Sequence, residues 1–346
     1  MTSFLARAPL RRVGVDRKTC RITVHAEQRA SHAIELSLTE HAESLAEDGW
    51  TLLNVEPALA QTLREEYVDR FNNPLDTNPD RFIWDYWYVP GQYQLLRTTA
   101  ERFFSTDTYF ALEEALLRAA AQLGCRSMSQ PWISYYVDGC RQEIHTDAPH
   151  GPFAFVLSLT DWESRRFDGG ETLILKDTST LLSGTPQDAR EKHDLFHHIP
   201  PRLGQITVFD GRLPHMVSEV RGVRDPLLAR VVVHGWFTEP SPYFDGDIQE
   251  DIATDVINST LSAIFEEIQN RLPPATGTLI ARLTVNGVGT VETIDILSCT
   301  LRVDPGLNRW DVIDGVLELL EKGFEGDEVF GKACNSLSTI VLPLLF

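Results

Sequence analysis

Two residues that could do chemistry stand two positions apart, His145 and Asp147 in EIHTDAPHGPF, directly ahead of the apolar run FAFVLSLT. In an extended chain residues i and i+2 face the same side, so an extended segment aims an imidazole and a carboxylate at one point. That is either a hydrogen-bonded His–Asp pair or half of a metal site. The next well-placed imidazole is His215 in FDGRLPHMVSEV, 70 residues on. Two imidazoles and one carboxylate on one face of a metal ion leave three positions open, which suits Fe(II) when O₂ and a chelating cosubstrate must share the ion with the protein. Arg230 follows 15 residues after His215 and opens RVVVHGWF. Alternation puts Arg230, Val232, His234 and Trp236 on one face, and an arginine facing inward needs an anion, with a planar fork suited to a carboxylate.

Other residues compete for attention. His150, His193, His197 and His198 are further imidazoles, but EKHDLFHHIPP reads as a polar loop, so the last three are expected at the surface. His234 reads as a satisfied core histidine ahead of a catalytic one. Trp84, Tyr86, Trp87 and Tyr88 crowd a stretch rich in turn residues and are costly to expose. They are either core or a lid over substrate, with Trp87 a candidate substrate contact. Arg165 and Arg166 in WESRRF are candidates for a substrate carboxylate, with a solvated surface pair the favoured alternative.

The elements that must position these groups follow from patterning. CRITVH alternates as a first strand; IELSLTEHAESLAEDGW carries a capping-box spacing at Ser37 and Glu40 and a Gly49 stop, and reads as a short helix. WTLLNV is a strand, PALAQTLREEYVDRF an amphipathic helix with an early proline, and NNPLDTNPDRFIWDYWYVPGQ a loop. STDTYFALEEALLRAAAQLG is a second long helix. From about Ser129 the texture changes to short strands set off by Gly, Pro and Asp turns: QPWISYYVD, QEIHTD, FAFVLSLT, GETLILKD, GQITVFDG, HMVSEVRG and ARVVVHGWF. Such a series predicts a sandwich or barrel. After Pro242 a long helix leads to two strands joined through NGVG, a hairpin signal, then a helix and a last strand STIVLPLLF. The expected fold is mostly β with flanking helices, a double-stranded β-helix (jelly-roll) core plus a small C-terminal α+β (ββαβ) module. The expected division is 1–240 for the core with its helical support, 241–272 for a connecting helix and 273–346 for the module.

Composition narrows the function classes. With 31 basic and 50 acidic residues in 346, a formal net charge of −19, the surface repels phosphate backbones and argues against nucleic acid. Five cysteines at wide spacing, without C-x-x-C, argue against a disulfide framework or zinc ribbon. No run approaches the roughly 20 apolar residues of a membrane helix, and the N-terminus lacks the apolar core of a secretory signal. The expectation is a cytoplasmic protein without a membrane partner.

HTD, GGET, PHMV and an arginine six residues before Trp236 together resemble the Fe(II)/2-oxoglutarate-dependent oxygenase superfamily, its prolyl-hydroxylase-like branch above all. SYYVDGC ahead of HTD is similar to the tyrosine-bearing strand and turn that lead to that family's first ligand, and DGGETLIL to its Gly-Gly-Glu strand. The likeness covers roughly residues 40–240. It implies that His145, Asp147 and His215 ligate iron and that Arg230 holds the distal carboxylate of 2-oxoglutarate. Many relatives carry Ser or Thr two residues past that arginine, where this chain has Val232; the second contact to the cosubstrate then falls to Tyr135, Tyr136 or His234. Arg221 and Arg224 compete with Arg230 but lie in a turn-like stretch. A carboxylate at Asp147, where related halogenases have a small residue, implies hydroxylation of an unactivated C–H bond with release of succinate and CO₂ as the default, with desaturation and ring formation the alternatives. Substrates within the resemblance range over amino acids, peptides and natural-product intermediates. The alternatives are a cupin-like metal enzyme that does not use 2-oxoglutarate, and a non-catalytic ligand-binding barrel. The C-terminal module weakly resembles a small TonB C-terminal-like fold; an oligomerisation or bracing role is favoured, so a homo-oligomer through it is expected.

Overall fold

The computed structural model describes residues 34–71, 83–176, 195–238, 241–331 and 336–346. Its elements run in chain order as β1 (Glu35–Leu38), α1 (Glu40–Asp48), β2 (Trp50–Asn54), α2 (Pro57–Phe71), β3 (Asp85–Val89), β4 (Tyr93–Thr99), α3 (Ala100–Phe103), α4 (Thr106–Gln122), β5 (Ser127–Met128), β6 (Trp132–Tyr136) and β7 (Arg141–His145). Then come β8 (Phe153–Ser158), β9 (Thr172–Leu175), β10 (Phe196–Ile199), β11 (Gln205–Asp210), β12 (His215–Val217), β13 (Arg230–Thr238) and β14 (Tyr243–Asp245). The chain closes with α5 (Glu250–Arg271), β15 (Ala275–Thr276), β16 (Thr278–Val285), β17 (Val291–Cys299), β18 (Arg302–Val303), α6 (Arg309–Phe324) and β19 (Ser338–Leu345).

Eight of these strands make the barrel. Pairing gives the order β6-β13-β8-β11 on one side and β7-β12-β9-β10 on the other. Apart from the β9–β10 step, successive strands switch sides, which is jelly-roll connectivity. The β3–β4 hairpin closes the side between β6 and β7: β4 pairs with β6 through Leu96–Thr99 and with β7 through Tyr93 and Gln94. The fold class therefore agrees with the sequence reading. Some local readings do not. The aromatic stretch forms strand β3 instead of a loop, because it folds into a hairpin with the adjacent β4, and FHHI forms strand β10, because it pairs with β9.

Alternation divides the barrel strands cleanly. Val231, Val233 and Phe237 of β13 join Ile133 and Tyr135 of β6 and Phe155 and Leu157 of β8 in a core under α2 and α4. Arg230, Val232, His234 and Trp236 face the other way, into the barrel, opposite Tyr136, Ser134 and Trp132 of β6.

The second sheet has the order β1-β17-β16-β19-β14, with β1 parallel to β17 and the remaining pairs antiparallel. IELSL thus starts as a strand: its residues extend an apolar sheet edge, and the helix begins only after Thr39, whose hydroxyl accepts from the Ala42 amide. Residues 35–38 and 243–245 complete a sheet whose other strands lie in 273–346. CRITVH lies outside the described residues. Cys125, Cys140 and Cys299 are buried. Among the described residues no helix is long and apolar enough to cross a membrane.

Candidate metal centre and anion pocket

His145 is the last residue of β7 and His215 the first of β12, and the antiparallel register sets them directly opposite one another. Their rings lie 4.3 Å apart between centroids. Each imidazole is tethered in the same way. Nδ1 of His145 lies 2.8 Å from the carbonyl of Glu143, and Nδ1 of His215 lies 2.9 Å from that of Leu213. A carbonyl can only accept, so each Nδ1 carries the proton and each Nε2 offers a lone pair. Both Nε2 atoms converge on Asp147, 3.7 Å from His145 to Oδ1 and 3.4 Å from His215 to Oδ2. One ligand atom from each of the three residues falls within 4.8 Å of the others.

The strand-alternation argument explains only part of this convergence. Strand pairing ends at His145, and Asp147 has φ −106°, ψ 17°, leading into the 3₁₀ turn Ala148–His150. Its place is fixed instead by its amide, which donates to the Gly211 carbonyl at 2.7 Å. Burial alone pushes the Asp147 carboxyl up, but its interactions with His215 and then His145 outweigh this and hold it below the usual range. Burial and the neighbouring His215 lower His145. A carboxylate held in its charged form beside imidazoles is the donor set a divalent cation requires. Phe209 packs edge-on against His215 at 4.6 Å, giving the apolar wall that fixes its ring.

Arg230 sits deeper in the same barrel and is 1% exposed. Its Nε donates to the Gly170 carbonyl at 2.7 Å and its Nη2 to the Thr172 hydroxyl at 3.3 Å. Its guanidinium lies 4.5 Å from the centroid of the Tyr136 ring. Nη1 is buried and has no hydrogen-bond partner. Burial lowers the pKa of this arginine, and no carboxylate among the described residues forms an ion pair with it. A buried, charged donor left unpaired is costly, so this atom marks a candidate anion contact. Gly170 makes the arrangement feasible: it has φ +83°, and a Cβ there would lie 3.2 Å from Arg230 Cδ and 3.0 Å from Phe167.

Of the residues considered for a second contact, Tyr136 lines the pocket, and its hydroxyl donates to Gln142 Oε1 at 3.1 Å. Tyr135 points to the opposite face, into the core under the helices beside Trp84, and burial pushes it up to about 12. His234 faces the barrel interior, with Nε2 2.9 Å from Ser134 Oγ. Burial, then the charges of Arg97 and Arg230, push it down to about 3. Thr172, buried and already bonded to Arg230, is the polar neighbour that sequence reasoning missed; as the residue after GGE it was in plain sight, but its hydroxyl matters only once β9 faces β13.

Arg221 and Arg224 are exposed, and Arg165 and Arg166 are exposed on the loop after β8. Arg165 stacks on Trp162 at 3.8 Å and donates to its carbonyl. That loop joins β13 at Val231, the Arg230 end, away from Asp147, so the structure does not bring this pair to the triad. Trp87 does come inward, stacked on Arg97 with 3.5 Å between the guanidinium and the ring centroid. His150 is exposed and stacks on Trp236 at 4.2 Å. His197 and His198 lie on β10, and His193 lies outside the described residues.

No protein-family model matches the chain, and no curated protein matches it. Among solved structures, the chain is similar to a prolyl-4-hydroxylase from Pseudomonas putida, at 18% identity over 57% of this chain and 96% of that one, with a TM-score of 0.40. It is similar to SnoK, a non-heme alpha ketoglutarate dependent carbocyclase from nogalamycin biosynthesis, at 12% identity over 59% and 84%, with a TM-score of 0.41. A prolyl hydroxylase from Trichoplax adhaerens, in complex with a hypoxia inducible factor oxygen degradation domain peptide fragment, covers 56% of this chain and 86% of its own at 11% identity, with a TM-score of 0.41.

Proposed function

We propose that the protein is an Fe(II)- and 2-oxoglutarate-dependent oxygenase that hydroxylates an unactivated C–H bond of an amino acid, peptide or natural-product intermediate. The observation that carries this reading is the unpartnered Nη1 of buried Arg230 in the same barrel as the converging His145, Asp147 and His215. A three-residue donor set would leave positions at Fe(II) for a chelating ligand and one more. The orphaned guanidinium supplies what a second, distal carboxylate on that ligand needs. Fe(II), 2-oxoglutarate and O₂ together supply oxidative decarboxylation to succinate and CO₂, coupled to oxygen insertion into the substrate.

The chain's own residues bind and orient. His145 and His215 present Nε2 because their backbone tethers fix the tautomer, and Asp147 brings the negative charge. Arg230 holds the distal carboxylate through Nη1 while Gly170 and Thr172 keep its other nitrogens in place. Val232, Val217, Leu95 and Ile174 wall the space between these stations with apolar surface and keep water away from it.

The test is an anaerobic titration of the purified protein with Fe(II) and 2-oxoglutarate, followed by visible absorption. A weak charge-transfer band that needs both additions, and that disappears in His215→Ala, is expected. Folded protein with bound iron but no band on adding 2-oxoglutarate would refute the cosubstrate assignment.

A further inference from the structure

A second guanidinium enters the barrel, and the cosubstrate leaves it without a task. Arg97 lies on β4 opposite Ser134 of β6, an inward-facing position. Trp87 covers one side of it at 3.5 Å and Trp132 lies at 4.4 Å. Trp87 reaches it from β3 across the hairpin, Trp132 from the start of β6, so three strands build this clamp. Two indole neighbours hold the cation through their ring faces, which leaves only the edge of the fork free to donate. Among the described residues nothing accepts from that edge. Its Nε is buried without a partner, and its cross-strand neighbour Asp85 is exposed and forms no ion pair with it. Burial lowers the Arg97 pKa, so the charge is held at a cost. The clamp lies on the barrel-facing side of the wall: Ser134, opposite Arg97, has its Oγ 2.9 Å from His234 Nε2, and Trp132 stands opposite His234 in the register.

We propose that Arg97, clamped between Trp87 and Trp132, is the specificity-determining residue that receives a carboxylate of the substrate and so places the neighbouring carbon over the His145–Asp147–His215 centre. This rests on the oxygenase reading, in which Arg230 takes the distal carboxylate of 2-oxoglutarate and Arg97 remains for the substrate. A planar, edge-on fork favours a carboxylate over an alcohol or an amide, because two parallel N–H···O bonds form only with two coplanar acceptor oxygens. In a chain of net charge −19, an interior carrying two guanidiniums is also a local attractor for acids.

The test uses full-length protein loaded with Zn(II) and 2-oxoglutarate, probed by ligand-observed NMR with N-acetyl amino acids in paired free-acid and primary-amide forms. The acids of a subset of side chains are expected to bind about 10-fold or more tighter than their amides. Arg97→Gln should abolish that preference, Arg97→Lys should keep part of it, and Trp87→Leu should weaken it. In each variant 2-oxoglutarate affinity, measured by calorimetry, should stay within about 3-fold of wild type, which also shows that the barrel has folded. Equal binding of acid and amide throughout the panel, or an acid preference that survives Arg97→Gln, would overturn the assignment. Loss of 2-oxoglutarate binding in a folded Arg97→Gln would overturn it too, by moving Arg97 to the cosubstrate. Failure of the oxygenase reading looks different: the wild-type protein itself would not bind 2-oxoglutarate.

Discussion

Replacing Arg230 by Met should separate cosubstrate binding from both metal binding and folding. The side chain is 1% exposed and makes two hydrogen bonds, to Gly170 O and Thr172 Oγ1, while Nη1 makes none. Methionine keeps most of the apolar stem and removes a buried charge that is unpaired without ligand. The protein loses two hydrogen bonds, about 1–3 kcal/mol each when the donor is charged, but is relieved of desolvating the guanidinium, a penalty of comparable size. Ligand-free stability should therefore shift by no more than about 1–2 kcal/mol. The bound state has no such compensation. A distal carboxylate left facing an apolar wall forfeits a charged contact and stays desolvated, a loss of roughly 2–4 kcal/mol, or about 30- to 1000-fold in Kd. Isothermal titration of 2-oxoglutarate into Zn(II)-loaded protein reads the affinity, and a thermal melt without ligand reads the stability. Zn(II) affinity should hold within about 3-fold, since Arg230 donates nothing to the triad. A 2-oxoglutarate Kd that changes less than about 3-fold in a folded variant would refute the reasoning, because the orphaned Nη1 would then have some other purpose.

Gly170→Ala forces an L residue to φ +83° and sets a Cβ 3.2 Å from Arg230 Cδ, so it should cost about 1–3 kcal/mol in thermal melts and weaken 2-oxoglutarate binding in parallel. His234 falls from its ordinary 6.5 to about 3 on folding, so between those values the unfolded chain holds more proton. Its contribution is full above pH 6.5 and is lost progressively as the pH drops toward 3; His234→Gln should flatten that part of the stability–pH curve, and an unchanged slope would contradict the buried, neutral assignment. Ile280→Ala, at a side chain packed where the second sheet meets α4, should cost about 2–5 kcal/mol and lower a single shared unfolding transition seen by both circular dichroism and tryptophan fluorescence.

The convergence of His145, Asp147 and His215 and the inward face of Arg230 were legible from local signals: a histidine and an aspartate close in sequence, and single residues that open alternating strands. The barrel was legible for the same reason, since each strand from β6 to β13 except β10 carries its own turn signals. What failed depends on pairing that the local pattern does not announce. Trp87 reads as loop until Asp85–Val89 finds β4, and FHHI reads as polar until it pairs with β9. Arg97 went unnoticed because an arginine in YQLLRTT is unremarkable; only the register opposite Ser134 turns it inward. Arg165 and Arg166, for which a solvated surface pair was the favoured reading, are exposed, on a loop that joins β13 at Val231.

The second sheet bears on how the barrel holds its shape. Alternation along β16 sends Leu279, Ala281 and Leu283 toward α5 and α6, while Ile280 goes the other way, joined by Leu297 of β17 and Val341 of β19 in the core that also contains α4 and the outer face of β6 and β13. The first set is buried under α5 and α6; on the second face Ile280, Leu297 and Val341 are buried beside α4, while Arg282, Thr284 and Asp295 of that face are half-buried. Polar ties run along the same seam, with Ser298 Oγ donating to Leu123 O at 2.9 Å and Arg212 to Thr300 O at 2.7 Å. Arg212 also pairs with Asp210 at 2.6 Å, at the end of β11 and beside Gly211, whose carbonyl receives the Asp147 amide. A continuous path of contacts therefore links the C-terminal strands to the backbone that positions a candidate metal ligand. A chain ending at residue 272 would lose the Ser298 contact to α4 and the Thr300 contact to the Asp210–Arg212 turn together.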